Sequence, residues 1–98
     1  MSRRVSFHEA AELEIVDAVK FFGAEQSELG TTLIDEIERA VHQIVQYPLS
    51  CQLINRTTRR KALRRFPYDI MYSVKPDMIR ILALAGQRRR PFYWRGRR

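Results

Sequence analysis

Apolar positions recur along this chain in two rhythms, and the switches between them divide it into elements. Val5 and Phe7 alternate with Arg4 and Ser6, a period of two that predicts a short first strand. From Glu9 onward Ala11, Ile15, Ala18 and Phe22 fall at i, i+4, i+7 and i+11, with Val19 and Phe21 beside them. Glu12, Glu14, Asp17 and Lys20 stay polar, so the spacing predicts one amphipathic helix of about fifteen residues. Gly23 and Glu25-Gln26-Ser27-Glu28 interrupt it. Leu29-Gly30-Thr31-Thr32 then reads as a turn glycine followed by a threonine suited to capping a new helix. Leu33, Ile37, Val41 and Ile44 make the next stripe, and Pro48 ends it because its ring clashes with a continuing turn.

The second half returns to period two. Phe66, Tyr68, Ile70, Tyr72 and Val74 fall on one strand face, with Pro67, Asp69, Met71 and Ser73 on the other. Lys75-Pro76-Asp77 has turn chemistry, and Met78 to Ala85 is apolar on both faces except at Arg80, as suits a central strand. A shorter strand is expected over Arg60 to Arg65, with Ser50 to Thr58 a surface loop. The predicted class is α+β in the order β-α-α-β-β-β: a helical hairpin packed on a small, twisted, mostly antiparallel sheet. Residues 1–98 suit a single domain, with Arg95 to Arg98 a tail expected to be mobile when free.

Charge changes the picture, because it is not evenly spread. Residues 1–50 carry four of the 18 bases and nine of the 11 acids, so the remainder has fourteen bases against two acids, a net charge of +12. Such a field attracts phosphate backbones, acidic proteins or anionic lipid. No segment approaches the roughly twenty apolar residues needed to cross a bilayer, which excludes a membrane span. The one cysteine, Cys51, cannot form an internal disulfide, and no signal-like apolar run follows Met1. A cytoplasmic protein is expected.

Few residues offer proton or metal chemistry. His8, His42 and Cys51 are too far apart in sequence for a metal site, a Cys51–His42 nucleophilic pair has little to support it, and no cofactor motif exists. Glu12, Glu14 and Asp17 read as solubilising positions on the first helix. What remains is arginine: Arg56, Arg59, Arg60, Arg64 and Arg65 before the long strand, and Arg88, Arg89, Arg90, Arg95, Arg97 and Arg98 after the last one. The planar guanidinium grips phosphate or carboxylate at two points, and Tyr93 and Trp94 beside it can stack. The competing structural reading has Phe92, Tyr93 and Trp94 cap the open end of the core.

Taken in order, these residues resemble the RelE/ParE toxins of bacterial type II toxin-antitoxin modules. The likeness rests on Leu29-Gly30 between the helices, Pro48 after the second, Arg65-Phe66-Pro67-Tyr68 with Tyr72 beyond, Ile81-Leu82-Ala83-Leu84-Ala85, and Arg88-Arg89 with Pro91 and Tyr93-Trp94. It implies a growth-arresting protein neutralised by a cognate acidic antitoxin, in a toxin-antitoxin hetero-oligomer. It also implies one of two targets: DNA gyrase, or messenger RNA on the ribosome. A nuclease of this kind needs a base, cations on the developing phosphorane and an acid, roles for which the resemblance nominates Arg65, Arg89 and Tyr93. Tyr93 would need its pKa lowered by the arginines, or would act only as a donor. Many relatives have a histidine where this chain has Gly86, and Lys61 is the one lysine in the relevant region. The expectation is therefore a ParE-like binder of DNA gyrase, with a ribosome-dependent endonuclease as the alternative. Its target-binding residues are expected to be Arg59, Arg60, Arg64, Arg65, Arg88, Arg89, Arg90, Tyr93 and Trp94.

Overall fold

The computed structural model describes residues 3–98 as β1 (Arg4–Phe7), α1 (Glu9–Glu25), α2 (Ser27–Gln46), β2 (Gln52–Leu53), β3 (Arg59–Ala62), β4 (Tyr68–Val74) and β5 (Met78–Gly86). The five strands form one sheet in the order β1-β5-β4-β3-β2, with β1 parallel to β5 and every other neighbouring pair antiparallel. This is the expected α+β architecture with one addition, the two-residue β2, inside the segment expected to be a loop. Backbone pairing of Gln52 and Leu53 with Arg60 and Arg59 creates it, and two exposed residues leave no periodicity to read. The strand expected over Arg60 to Arg65 is β3, which ends at Ala62. Beyond it the backbone N–H groups of Arg64 and Arg65 both donate to the Glu36 carboxylate on α2 instead of to a strand.

The helices are longer than the pattern suggested. His8 caps α1, its Nδ1 accepting from Ala10 N–H at 3.0 Å. A single extended residue, Gln26, links α1 to α2, so α2 begins several residues before the expected threonine cap. Leu29-Gly30-Thr31-Thr32 is helix, not turn. Gly30 is there for close approach: a Cβ on it would lie 3.1 Å from the Val19 carbonyl oxygen and 3.2 Å from Gly23 Cα. Two glycines thus let the helices touch backbone to backbone, which offsets the roughly 1 kcal/mol that glycine costs within a helix.

Both sheet faces bury apolar residues. Ala11, Ala18, Leu33, Ile37 and Ile44 of the helices meet Ile70, Tyr72, Ile79, Ile81 and Leu84 on one face. Met71, Leu82, Ala83 and Ala85 gather around Trp94 on the other. The alternation along β5 changes phase midway, because Met71 pairs with Ala83 while Tyr72 pairs with Ile81. Leu82 is the extra residue of this bulge, so Ile79 and Ile81 face the helices, Leu82 and Ala83 do not, and Leu84 does again.

Candidate functional site

β1 pairs with β5 only as far as Phe7 and Ile81, and His8 N–H adds one last bond to the Ile81 carbonyl at 2.8 Å. The edge of β5 beyond that point would be left with open donors and acceptors. Side chains close it. Glu14 of α1 accepts from Leu84 N–H at 3.1 Å, and Arg97 donates to the Leu82 carbonyl at 3.1 Å. Arg97 also forms a two-point ion pair with Glu14, at 2.9 and 3.1 Å, in which both side chains are less than a fifth exposed. Tyr93 Oη donates to the same carboxylate at 2.7 Å. Arg89 stacks over the Tyr93 ring, 4.0 Å from its centroid, and Arg97 lies 5.2 Å from that centroid.

Glu14 is therefore the hub of the C-terminal segment, not the solubilising residue expected of it. The signal was present, since Glu14 stands three residues after Ala11 and four before Ala18, on the stripe that α1 buries. A carboxylate there requires partners, and they arrive from the far end of the chain.

The network also fixes the protonation of Tyr93. Burial pushes the phenol pKa well above its usual value, and the hydrogen bond to Glu14 and that carboxylate's charge push the same way, against a smaller opposing pull from Arg89 and Arg97. The lowering that a base at this position would need is absent, and Tyr93 is a donor already engaged.

The arginine-bearing loops come together at one end of the sheet. Gln87 N–H donates to the Pro67 carbonyl at 2.9 Å, tying the loop that carries Arg64 and Arg65 to the turn that carries Arg88, Arg89 and Arg90. All five arginines are exposed. Gly86 sits at the base of this end, where a Cβ would lie 3.4 Å from Arg89 Cγ and 3.7 Å from the Tyr68 ring.

Three expected site residues lie apart from that cluster. Arg59 and Arg60 are at the opposite end of β3, facing Tyr72 and Met71 in register. Arg59 is committed to the Cys51 and Leu49 carbonyls, at 2.6 and 3.2 Å, and latches the chain that leaves α2. Arg60 bonds Gln52 Oε1 at 3.1 Å. Trp94, expected on the target-binding face, is only 4% exposed and serves as core, so the capping role weighed as the competing reading is the one its packing fits. The tail expected to be mobile is held in this structure by Arg97 and by Arg80, whose Nε donates to the Arg98 carbonyl at 3.2 Å.

His42 is exposed on α2, and Cys51 is half-buried beside Tyr72, whose hydroxyl donates to the Pro48 carbonyl at 2.9 Å. Among the described residues no three His, Cys, Asp or Glu side chains gather as a metal site would require, and no helix is long and apolar enough to cross a membrane.

No family model matches this chain, and no curated protein matches it. A solved structure does: a chain of "Chromosomal ParDE TA system from P. aeruginosa" superposes with a TM-score of 0.75 over 86% of this chain and 95% of that one, at 16% identity. At that identity the likeness is one of fold. It agrees with the RelE/ParE-like architecture that the sequence implied.

Proposed function

We propose that this protein is the toxin of a type II toxin-antitoxin module, that it arrests growth by binding DNA gyrase, and that an acidic antitoxin neutralises it. Fold likeness to a chain of a ParDE toxin-antitoxin structure supports the module. The choice of binding over cleavage rests on one observation, the engagement of Tyr93 Oη by Glu14 beside Gly86. Cleavage of RNA at the arginine cluster would require a group that exchanges a proton near pH 7. Tyr93 keeps its proton there, Gly86 has none to give, and arginine stays charged. Five exposed arginines with no proton-transfer partner suit gripping an anionic or carboxylate-rich surface.

An acidic antitoxin fits a different stretch of the chain. Residues 39–63 contain five bases and no Asp or Glu, and within that stretch Tyr47 and Leu49 are about two-thirds exposed, at 66% and 65%. A partner combining carboxylates with apolar side chains would neutralise the first and cover the second.

The purified protein should inhibit gyrase supercoiling while leaving messenger RNA uncut in a translating extract read by primer extension. Tyr93→Phe should remain toxic within about threefold, because it removes a hydroxyl that binding does not use. Messenger cuts at the ribosomal A site with normal supercoiling, or loss of toxicity in a folded Tyr93→Phe variant, would overturn the reading. A short acidic reading frame is expected beside the gene, and co-expressing its product should relieve growth arrest.

A further inference from the structure

The pinned tail builds a second cationic site away from the arginine loops. Between the tail and the sheet lies a pocket of about 410 Å3, rimmed by Asn55, Thr57, Ser73, Lys75, Arg95 and Arg98, with buried Leu82 and Trp94 beneath. No Asp or Glu side chain lines it among the described residues. A second groove, between α2 and the chain after β3, is balanced instead: Asp35 and Glu36 face Arg39, Lys61, Arg64 and Arg65.

The tail pocket holds its cations together by construction. Gly96 adopts a φ of +96°, a conformation costly for other residues, and a side chain there would meet nothing within 4 Å. Its glycine therefore answers a backbone need, the turn that returns Arg97 to Glu14. Arg97 is neutralised by that pairing and acts as the anchor. Arg80 donates to Ser6 Oγ at 2.5 Å as well as to the Arg98 carbonyl, which fixes the last residue of the wall. Lys75, Arg95 and Arg98 remain exposed and without an acidic partner among the described ion pairs. Three cations held around one concavity repel each other until an anion enters.

We propose that this pocket is a phosphodiester-binding subsite that takes the backbone of a single-stranded nucleic acid. Guanidinium and ammonium groups around a hollow with exposed Asn55 and Thr57 at its rim match phosphate oxygens, and a flexible single strand can turn successive phosphates into a recess that a stiff duplex bridges over. No base-reading platform accompanies it, since Trp94 is buried, so binding is without sequence preference. The site goes beyond the gyrase reading and does not depend on it.

The test is fluorescence anisotropy of a labelled oligo-dT strand titrated with the full chain at several salt concentrations. Lys75→Gln with Arg98→Gln removes two pocket cations, and Lys20→Glu makes the same change in net charge at an exposed position of α1. The pocket pair should weaken binding about tenfold or more and reduce the slope of log K against log salt by about 1.4, that is about 0.7 for each lost phosphate contact. The helix variant should change affinity by less than about threefold. Equal losses in both variants would replace the site by a diffuse field, and no loss in the pocket pair would remove it. Tighter binding of a duplex of the same length would overturn the single-strand reading. Displacement by poly-glutamate as effective as that by unlabelled oligo-dT would assign the pocket to an acidic protein instead. Far-UV circular dichroism of each exposed-residue variant checks that the fold is intact.

Discussion

On one face of the sheet, Leu33, Ile37 and Ile44 of α2 and Ala11 and Ala18 of α1 interlock with Ile70, Tyr72, Ile79 and Ile81; on the other, Met71, Leu82, Ala83 and Ala85 are covered mainly by the ring of Trp94. The first face is closed by two helices that packing holds. The second is closed by a dozen residues of irregular chain, which polar contacts hold through Glu14 and Arg97. Arg88, Arg89 and Arg90 and the proposed phosphate pocket lie on or beside that second closure, while Arg64 and Arg65 stand against α2. Structure held by few apolar contacts opens at lower cost than a core, and functional surfaces are commonly drawn from it.

The largest expected difference comes from cutting each closure at its centre. Leu33 is fully buried, so Leu33→Ala should cost about 3 to 4 kcal/mol in urea unfolding, with helix and sheet signals lost together. The tail side should part from this. Trp94 is the one tryptophan of the chain, so its emission reports tail docking alone. Its red shift should precede the loss of far-UV ellipticity as urea rises, and coincident curves would show that the two faces are one cooperative unit.

A smaller effect should follow from Glu14→Gln, which keeps an acceptor for Leu84 N–H but removes the charge that Arg97 pairs with. About 1 to 2 kcal/mol is expected, read in the Trp94 transition more than in the helix signal. Combining it with Arg97→Gln should cost less than the two single changes added together, because the second removes a charge already left alone. Strict additivity would mean that the pair does not hold the tail.

The smallest effect is one of pH, and it acts on both closures. Burial raises the phenol pKa of Tyr72, with a further push from Cys51 against a lowering by Arg59, and burial followed by Glu14 raises that of Tyr93; both start from an ordinary 10.0. A group whose folded pKa is raised contributes stability that is intact below the unfolded value and lost above it. Stability from these two should therefore be level up to about pH 10 and decline above it, as the unfolded chain releases protons that the folded chain retains. Urea midpoints measured across that range, with tyrosinate absorbance on the same samples, check the sign. Tyr93→Phe should make the alkaline decline shallower, and a steeper one would contradict the assignment.

Much of the fold was legible. The stripe Leu33, Ile37, Val41, Ile44 and the alternation from Phe66 to Val74 each announce an element, because burial of one side imposes a period that the residues must carry. The concentration of bases after residue 50 likewise announced the exposed arginines that gather at one end of the sheet. Gly30 was misread, since a glycine that permits a turn and one that permits two helices to touch look alike in one dimension. Trp94 and Arg59, expected to face a target, pack on or bond the protein itself for a related reason: aromatic and cationic residues in a tail or edge strand look the same whether they face a partner or the protein's own backbone.

What the sequence alone determined is which apolar stripes of the helices and strands leave water and where charge accumulates, both properties of short windows of chain. The tertiary structure decided what covers them. Glu14 meets Arg97 across 83 residues, at the unpaired end of β5, with the β5 bulge at Leu82 changing which side chains face the helices and which face the tail. Periodicity records that a position is buried but not by whom, and the identity of the partner depends on where the strand pairing of β1 stops.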